Sequence, residues 1–201
     1  MPARIKKNHK TEKKGKGSFR IIAGEHRGRR LSFPEVDGLR PTTDRVRETV
    51  FNWLSWQIED ARVLDLFAGS GALGLEAASR GAKYVQFVEL SLPAVSQLGE
   101  HRTMLKINAQ VTQADALTWL AQSQEAPFDV VFLDPPFRKN LLESVIQKLV
   151  NSSVLSAGTL IYLEKEKELS ELALPANWRQ RKEKVAGQLC YGLYEVLGDK
   201  E

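Results

Sequence analysis

The sequence predicts an α/β fold: a mainly parallel seven-stranded sheet with helices on both faces and an N-terminal β-hairpin extension. Three observations predict it. The apolar run Val63-Leu64-Asp65-Leu66-Phe67 ends in the glycine turn Ala68-Gly69-Ser70-Gly71, and Ala72, Leu73, Leu75, Ala77 and Ala78 then read as a helix. That is strand, tight turn and helix, the opening of a βαβ unit. A second apolar run, Phe128-Asp129-Val130-Val131-Phe132-Leu133, ends in Asp134-Pro135-Pro136-Phe137. Two strand patterns at 178–184 and 189–197, joined around Gly187, read as an antiparallel hairpin that closes the sheet.

Taken in order, residues 1–18 are rich in Lys, Gly and Ser and almost free of apolar side chains. Such a segment buries too little to offset its ordering entropy and is expected to be disordered alone. Phe19, Ile21 and Ile22 suggest one strand, and Leu31 and Phe33 another. Gly24, Gly28, His26, Arg27, Arg29 and Arg30 lie between them, with Arg20 beside the first, so 19–41 reads as a hairpin and loop with a basic rim. The main domain is expected at 42–201. Thr43 or Asp44 can cap the next helix by accepting free N–H groups of its first turn. Val46, Val50, Trp53 and Leu54 recur at helical spacing, which leaves Arg45 and Arg47 off the apolar stripe and makes Trp53 a core residue. Beyond the glycine turn, 84–88 is the second strand. A helix then starts at Ser91 or Pro93 and runs to about 106, and 109–113 is the third strand. Residues 141–150 form a helix, 159–163 a fifth strand, and 165–171 a charged, solvated stretch.

Composition narrows the function classes. A length of 201 residues with 42% hydrophobic content suits one domain with modest additions. No run of eighteen apolar residues exists, and the basic N-terminus lacks the apolar core of a secretory signal, so a cytoplasmic protein without a membrane span is expected. The single cysteine, Cys190, excludes an internal disulfide and lies in an apolar strand pattern. His9, His26 and His101 are scattered, and nothing has metal-ligand spacing, so no metal site is predicted. The net charge of +4 hides an asymmetry: residues 1–30 carry eleven Lys and Arg against Glu12 and Glu25, which leaves the remainder acidic at −5. An acidic body with a basic arm points to a polyanion held at one end, with Arg20, Arg27, Arg29 and Arg30 as candidate phosphate contacts.

The two central motifs carry chemistry. Gly69, Gly71 and Gly74 fit G-x-G-x-x-G, with Glu89 ending the next strand, a pattern shared with NAD enzymes. Asp65 inside the first strand would repel a pyrophosphate and suits a cationic ligand instead. S-adenosylmethionine carries an ammonium and a sulfonium, and Glu89 can accept hydrogen bonds from both hydroxyls of its ribose. Ligands of open α/β sheets bind beyond the carboxyl ends of the strands, so Asp134 shares an edge with Gly69 and Glu89. Two prolines in a row make that edge a stiff ledge. The Asp134 carboxylate and the Pro135 carbonyl can then hold the two hydrogens of an amino group on a planar base, with Pro136 stiffening the ledge and Phe137 stacked on the ring.

These motifs resemble the S-adenosylmethionine-dependent amino-methyltransferases, which carry a D/N-P-P-F/Y motif. A closer resemblance spans nearly the whole chain. It rests on Arg40-Pro41-Thr42-Thr43-Asp44-Arg45-Val46-Arg47-Glu48, Phe51-Asn52-Trp53-Leu54, Phe67 to Gly74, Asp134 to Phe137, and Glu183-Lys184-Val185-Ala186-Gly187-Gln188. Together these look like the bacterial 16S ribosomal RNA guanine-N2 methyltransferases of the RsmD family. The resemblance implies a Rossmann-like class I methyltransferase sheet and methyl transfer from S-adenosylmethionine to a guanine N2. It implies 16S RNA in a small-subunit particle as the partner, and a monomer is the expectation for the enzyme. It also implies a cofactor set of Asp65, Phe67, Ala68, Gly69, Ser70, Gly71, Glu89, Leu90, Asp115, Ala116 and Thr43. In methyltransferases of this fold an acidic residue at the place of Asp115 accepts the adenine amino hydrogen, although Asp115 equally suits a helix N-cap.

Three other readings compete. A DNA adenine-N6 methyltransferase shares the loop and the ledge, but the chain has no sizeable separate target-recognition domain. An NAD oxidoreductase leaves Asp134-Pro135-Pro136-Phe137 without a role. A non-catalytic RNA-binding or assembly module does not require both motifs to be intact.

Overall fold

A computed structural model describes residues 16–34, 42–136, 141–169 and 172–198. Arg40, Pro41, Phe137 and residues 1–15 of the basic tail therefore lie outside the described residues.

The N-terminal hairpin pairs β1 (Lys16–Arg20) antiparallel with β2 (Arg30–Pro34), Phe19 facing Leu31 across the ladder. The strand begins three residues earlier than its apolar pattern suggests, at Lys16 instead of Phe19, because backbone pairing to Ser32, Phe33 and Pro34 needs no apolar side chain. Ile21 and Ile22 lie past its end. The main sheet contains β3 (Arg62–Asp65), β4 (Tyr84–Glu89), β5 (Ala109–Gln113), β6 (Val130–Leu133), β7 (Leu160–Glu166), β8 (Trp178–Ala186) and β9 (Leu189–Val196). Their spatial order is β5-β4-β3-β6-β7-β9-β8. The first five neighbours run parallel, and β9 enters antiparallel between β7 and β8. Strand order reverses between β3 and β6, and the crevice at such a reversal is where open α/β sheets bind ligands.

Among the described residues five α-helices cover the two faces: α1 (Asp44–Trp53), α2 (Ala72–Ser79), α3 (Leu92–Leu105), α4 (Ala116–Gln122) and α5 (Leu142–Val150). Alternate residues of the strands feed two cores. Val63, Val85, Phe87, Val130, Phe132 and Tyr162 pack with α1, α2, α3 and the hairpin. Leu64, Leu66, Val131, Leu133, Ile161 and Leu163 pack with α4 and α5. Cys190 is buried on β9, and Trp53 stacks on Tyr191 at 5.5 Å, at the rim of the first core.

Two charged positions correct the sequence reading. Arg47 is fully buried on α1 despite lying off the apolar stripe. Its guanidinium reaches the Arg20 carbonyl (2.8 Å), Asp44 (2.7 Å) and Glu76 (3.4 Å), and lies over the Phe19 ring. Glu76, also fully buried, accepts from the Ile22 and Ala23 amides (2.8 and 3.0 Å) and from Arg80 Nε (2.7 Å). A buried ion is tolerable only when most of its lone pairs and protons find partners in this way, and here Arg47 Nε is left without one. The network fastens the hairpin to α1 and α2. Gly24 allows the close approach, since its φ of +81° is left-handed and a Cβ there would run into the Ser79 carbonyl. The second correction concerns β7, which extends to Glu166 instead of stopping at Leu163. Glu164 and Lys165 are buried, not solvated, because β9 pairs along the whole strand. No helix among the described residues is long and apolar enough to cross a membrane.

Candidate active site

The glycine loop joins β3 to α2. Gly69 and Gly71 both have left-handed φ, at +52° and +78°, so the turn requires them. Gly74 packs helix α2 onto the sheet: a Cβ there would collide with the Phe87 ring and lie 3.0 Å from Asp65 Oδ2. Asp65, 3% exposed, accepts the Gly74 amide at 3.0 Å. Burial pushes its carboxyl up to about 7, with the Glu89 charge adding to the rise and the Gly74 hydrogen bond opposing it. Among the described residues it has no cationic partner, and a bound cation would favour its ionised form. Glu89 accepts the Gly69 amide with one oxygen and the Ser91 amide with the other, each at 2.7 Å. The loop amide of Gly69 is thus held by a carboxylate, and two acidic groups border the turn. That surrounding opposes a pyrophosphate and fits a ligand carrying positive charge.

Asp115 caps α4, its Oδ1 accepting the Thr118 amide at 3.0 Å and the Thr118 hydroxyl at 3.2 Å. The capping alternative therefore holds for that oxygen, and Ala116 is buried at the first turn. Thr43 caps α1, accepting the Val46 amide at 3.4 Å. Leu90 is exposed beside Glu89.

Asp134, Pro135 and Pro136 follow β6 directly, and β6 is bonded to β3 with Phe132 opposite Asp65. The two motifs thus meet at one sheet edge, at the strand-order reversal. Pro135 is buried, and Asp134 is half-buried. The Thr42 hydroxyl lies 3.5 Å from Asp134 Oδ2 and 3.5 Å from Glu164 Oε1, and Tyr162 donates its hydroxyl to Glu164 Oε1 at 2.5 Å. The Asp134 and Glu164 carboxyls are themselves in hydrogen-bond contact. Burial raises Asp134 well above the usual carboxylate range, and the charges of Glu164 and then Asp65 raise it further. Sequence reasoning missed Glu164. Its alternation with Tyr162 along a strand was the available signal, obscured by the charged residues that follow. Arg20, Arg27, Arg29 and Arg30 are exposed on the hairpin. Among the described residues no cluster of His, Cys, Asp and Glu could hold a metal ion.

Comparison with known proteins follows the same lines. A family model described as "Conserved hypothetical protein 95" matches residues 19–195. The chain is 50% identical over 182 residues to ribosomal RNA small subunit methyltransferase D of Escherichia coli K12, covering 90% of this chain and 91% of the relative. The chain belongs to the ribosomal RNA small subunit methyltransferase D family. The methyltransferase D of Haemophilus influenzae is 48% identical over 184 residues, covering 90% of this chain and 95% of its own length. Among solved structures, a putative methyltransferase from Escherichia coli superposes with a TM-score of 0.84 at 47% identity, covering 90% of this chain and 99% of the other. The methyltransferase D family is S-adenosylmethionine-dependent, and its class I sheet is the fold described above.

Proposed function

We propose that this chain transfers a methyl group from S-adenosylmethionine to the exocyclic N2 amine of a guanine in small-subunit ribosomal RNA, as a cytoplasmic, monomeric enzyme acting on an assembling or assembled 30S particle. The observation that carries the reading is the meeting of the acidic glycine loop and the Asp134-Pro135-Pro136 ledge at the β3–β6 edge. Asp65, Glu89 and the loop from Phe67 to Gly71 would hold the methyl donor, with Leu90, Ala116, Asp115 and Thr43 bordering it. The donor supplies a sulfonium-bound methyl group that needs no further activation.

The protein's part is positioning. The N2 lone pair is delocalised into the guanine ring and is a poor nucleophile. Hydrogen bonds from its two N–H groups to Asp134 and to the Pro135 carbonyl draw the nitrogen toward tetrahedral geometry and hold it in line with the methyl group. A stacked base cannot reach this ledge, so the enzyme takes an unpaired base or flips one out, with Phe137 stacking on the ring. The exposed arginines of the hairpin, with Arg40, bind phosphate, which orients the RNA without choosing the base.

The test is a tritiated-methyl transfer assay on small subunits from a strain lacking the enzyme, with duplex DNA in parallel and digestion to nucleosides. Label in N2-methylguanosine is the expected result. Label in N6-methyladenine from the DNA would replace the substrate assignment, and a preference for NAD over S-adenosylmethionine in binding would remove the cofactor assignment.

Asp65 adds a pH signature. Its carboxyl sits near 7 in the free protein, and a bound cation selects the ionised form. Affinity for S-adenosylmethionine is therefore full above 7 and falls on acidification, by about tenfold per pH unit well below 7. Calorimetric titrations between pH 5.5 and 8 read this directly. A flat profile would show that Asp65 does not face the cation.

A further inference from the structure

Glu164 has no place in the methyl-transfer scheme above, yet it is only 3% exposed and touches the residue at the centre of that scheme. An isolated buried carboxylate is costly, and this one has no cationic partner among the described residues. Its partners are instead Tyr162, Thr42 and the Asp134 carboxyl. The Tyr162 hydroxyl and Glu164 stand two residues apart on β7, on the face that looks toward α1. Thr42, just before α1, spans from Glu164 to Asp134.

Resting on the guanine-N2 reading, we propose that Glu164 is a positioning residue that, through its contact with Asp134, turns Asp134 into the proton acceptor of the reaction and then shares the accepted proton. Two carboxylates in one buried place cannot both ionise cheaply, so each raises the other's proton affinity. The groups that act on Asp134 among the described residues are Glu164 on β7 and Asp65 on β3, both acidic, with the Thr42 hydroxyl opposing them. The Tyr162 phenol, pushed well above its ordinary range by burial and by the Glu164 charge, stays neutral.

The proton balance explains why such a pair is useful. The N2 lone pair forms the new N–C bond as the S–C bond breaks, and that bond's electron pair stays on sulfur. N2 is left with two hydrogens, one methyl group and a positive charge. One of those protons passes to Asp134, where it is held between Asp134 and Glu164, and the neutral N2-methylguanine leaves. The positive charge that enters on the sulfonium ends as a proton on the pair, in which Asp134 begins ionised. The proton is then lost to water.

The experiment compares the wild type with Glu164→Gln and Glu164→Asp, reading two quantities. The first is the pH dependence of kcat/KM on the ribosomal particle. The second is the carbon-13 titration of the Asp134 carboxyl in the free protein. Methyl transfer requires Asp134 ionised, so the wild-type rate falls on acidification at a pH well above the ordinary carboxylate range. Glu164→Gln removes the neighbouring charge, and both the acid limb and the carbon-13 midpoint move down by about one pH unit or more. Glu164→Asp keeps the charge and keeps both high. Equal losses of rate in the two variants with neither midpoint moved would make Glu164 merely structural and overturn the proposal. Should the wild type put no label on guanine N2, the functional reading fails instead. The carbon-13 midpoints still report whether the pair is coupled.

Discussion

Replacing Asp134 by alanine is expected to lower the methyl-transfer rate by about two orders of magnitude or more while leaving S-adenosylmethionine affinity within a few-fold. The separation follows from the geometry. The loop that would hold the methyl donor is built by the glycines with Asp65 and Glu89, whose carboxylates accept the Gly74, Gly69 and Ser91 amides and not a group of Asp134. Asp134 instead faces Thr42 and Glu164. In the proposed reaction its removal would take away one of two acceptors for the substrate amine and the place where the proton goes. Single-turnover rates on deficient small subunits, with binding measured by calorimetry, separate the two effects. Near-normal turnover would take Asp134 out of the reaction, and a large loss of donor affinity would move it into the donor site.

The largest expected effect on stability lies far from the chemistry. Glu76→Ala should destabilise the fold by about 3–5 kcal/mol, because it takes the one buried carboxylate from a buried arginine and leaves two backbone amides without an acceptor. Arg47 would lose a partner at 3.4 Å, and the Ile22 and Ala23 amides would lose their acceptor. For a chain of this size that loss lowers the melting temperature by about 10 °C. Hydrogen exchange should show the hairpin amides opening first. A melting point within about 2 °C of wild type would mean that water takes over the acceptor role.

What was legible beforehand follows the periodicities. Strand β3 with its glycine turn, and strand β6 with its proline ledge, were readable because a short apolar run stopped by Gly or Pro has few other interpretations. Strand β9, an apolar run beside Gly187, was readable for the same reason. Arg47 and Glu76 were not, since a charged side chain on a helix counts as solvated until a partner from a distant segment is known. The partners of Arg47 include the Arg20 carbonyl, 27 positions away, and Glu76, 29 positions away. Glu164 was missed likewise: its burial depends on β9 lying alongside β7, and pairing between strands leaves no trace in local pattern. Asp115 had two readings, and the structure supports the cap for one oxygen through a contact only three residues away.

The position of β9 also bears on how the molecule comes into being. It is the last strand in chain order, yet it lies inside the sheet, between β7 and β8. A nascent chain that has delivered β3 to β7 to the solvent still presents an open edge along β7, the kind of edge that invites pairing with other chains. Tyr162 then lacks Tyr191, its ring neighbour at 6.2 Å, and Trp53 lacks the ring it stacks on. The surroundings of Glu164 are completed only after β9 is made, so a chain stalled before β9 leaves Glu164 without the strand that pairs beside it. Chaperones have their longest opportunity to bind during that interval.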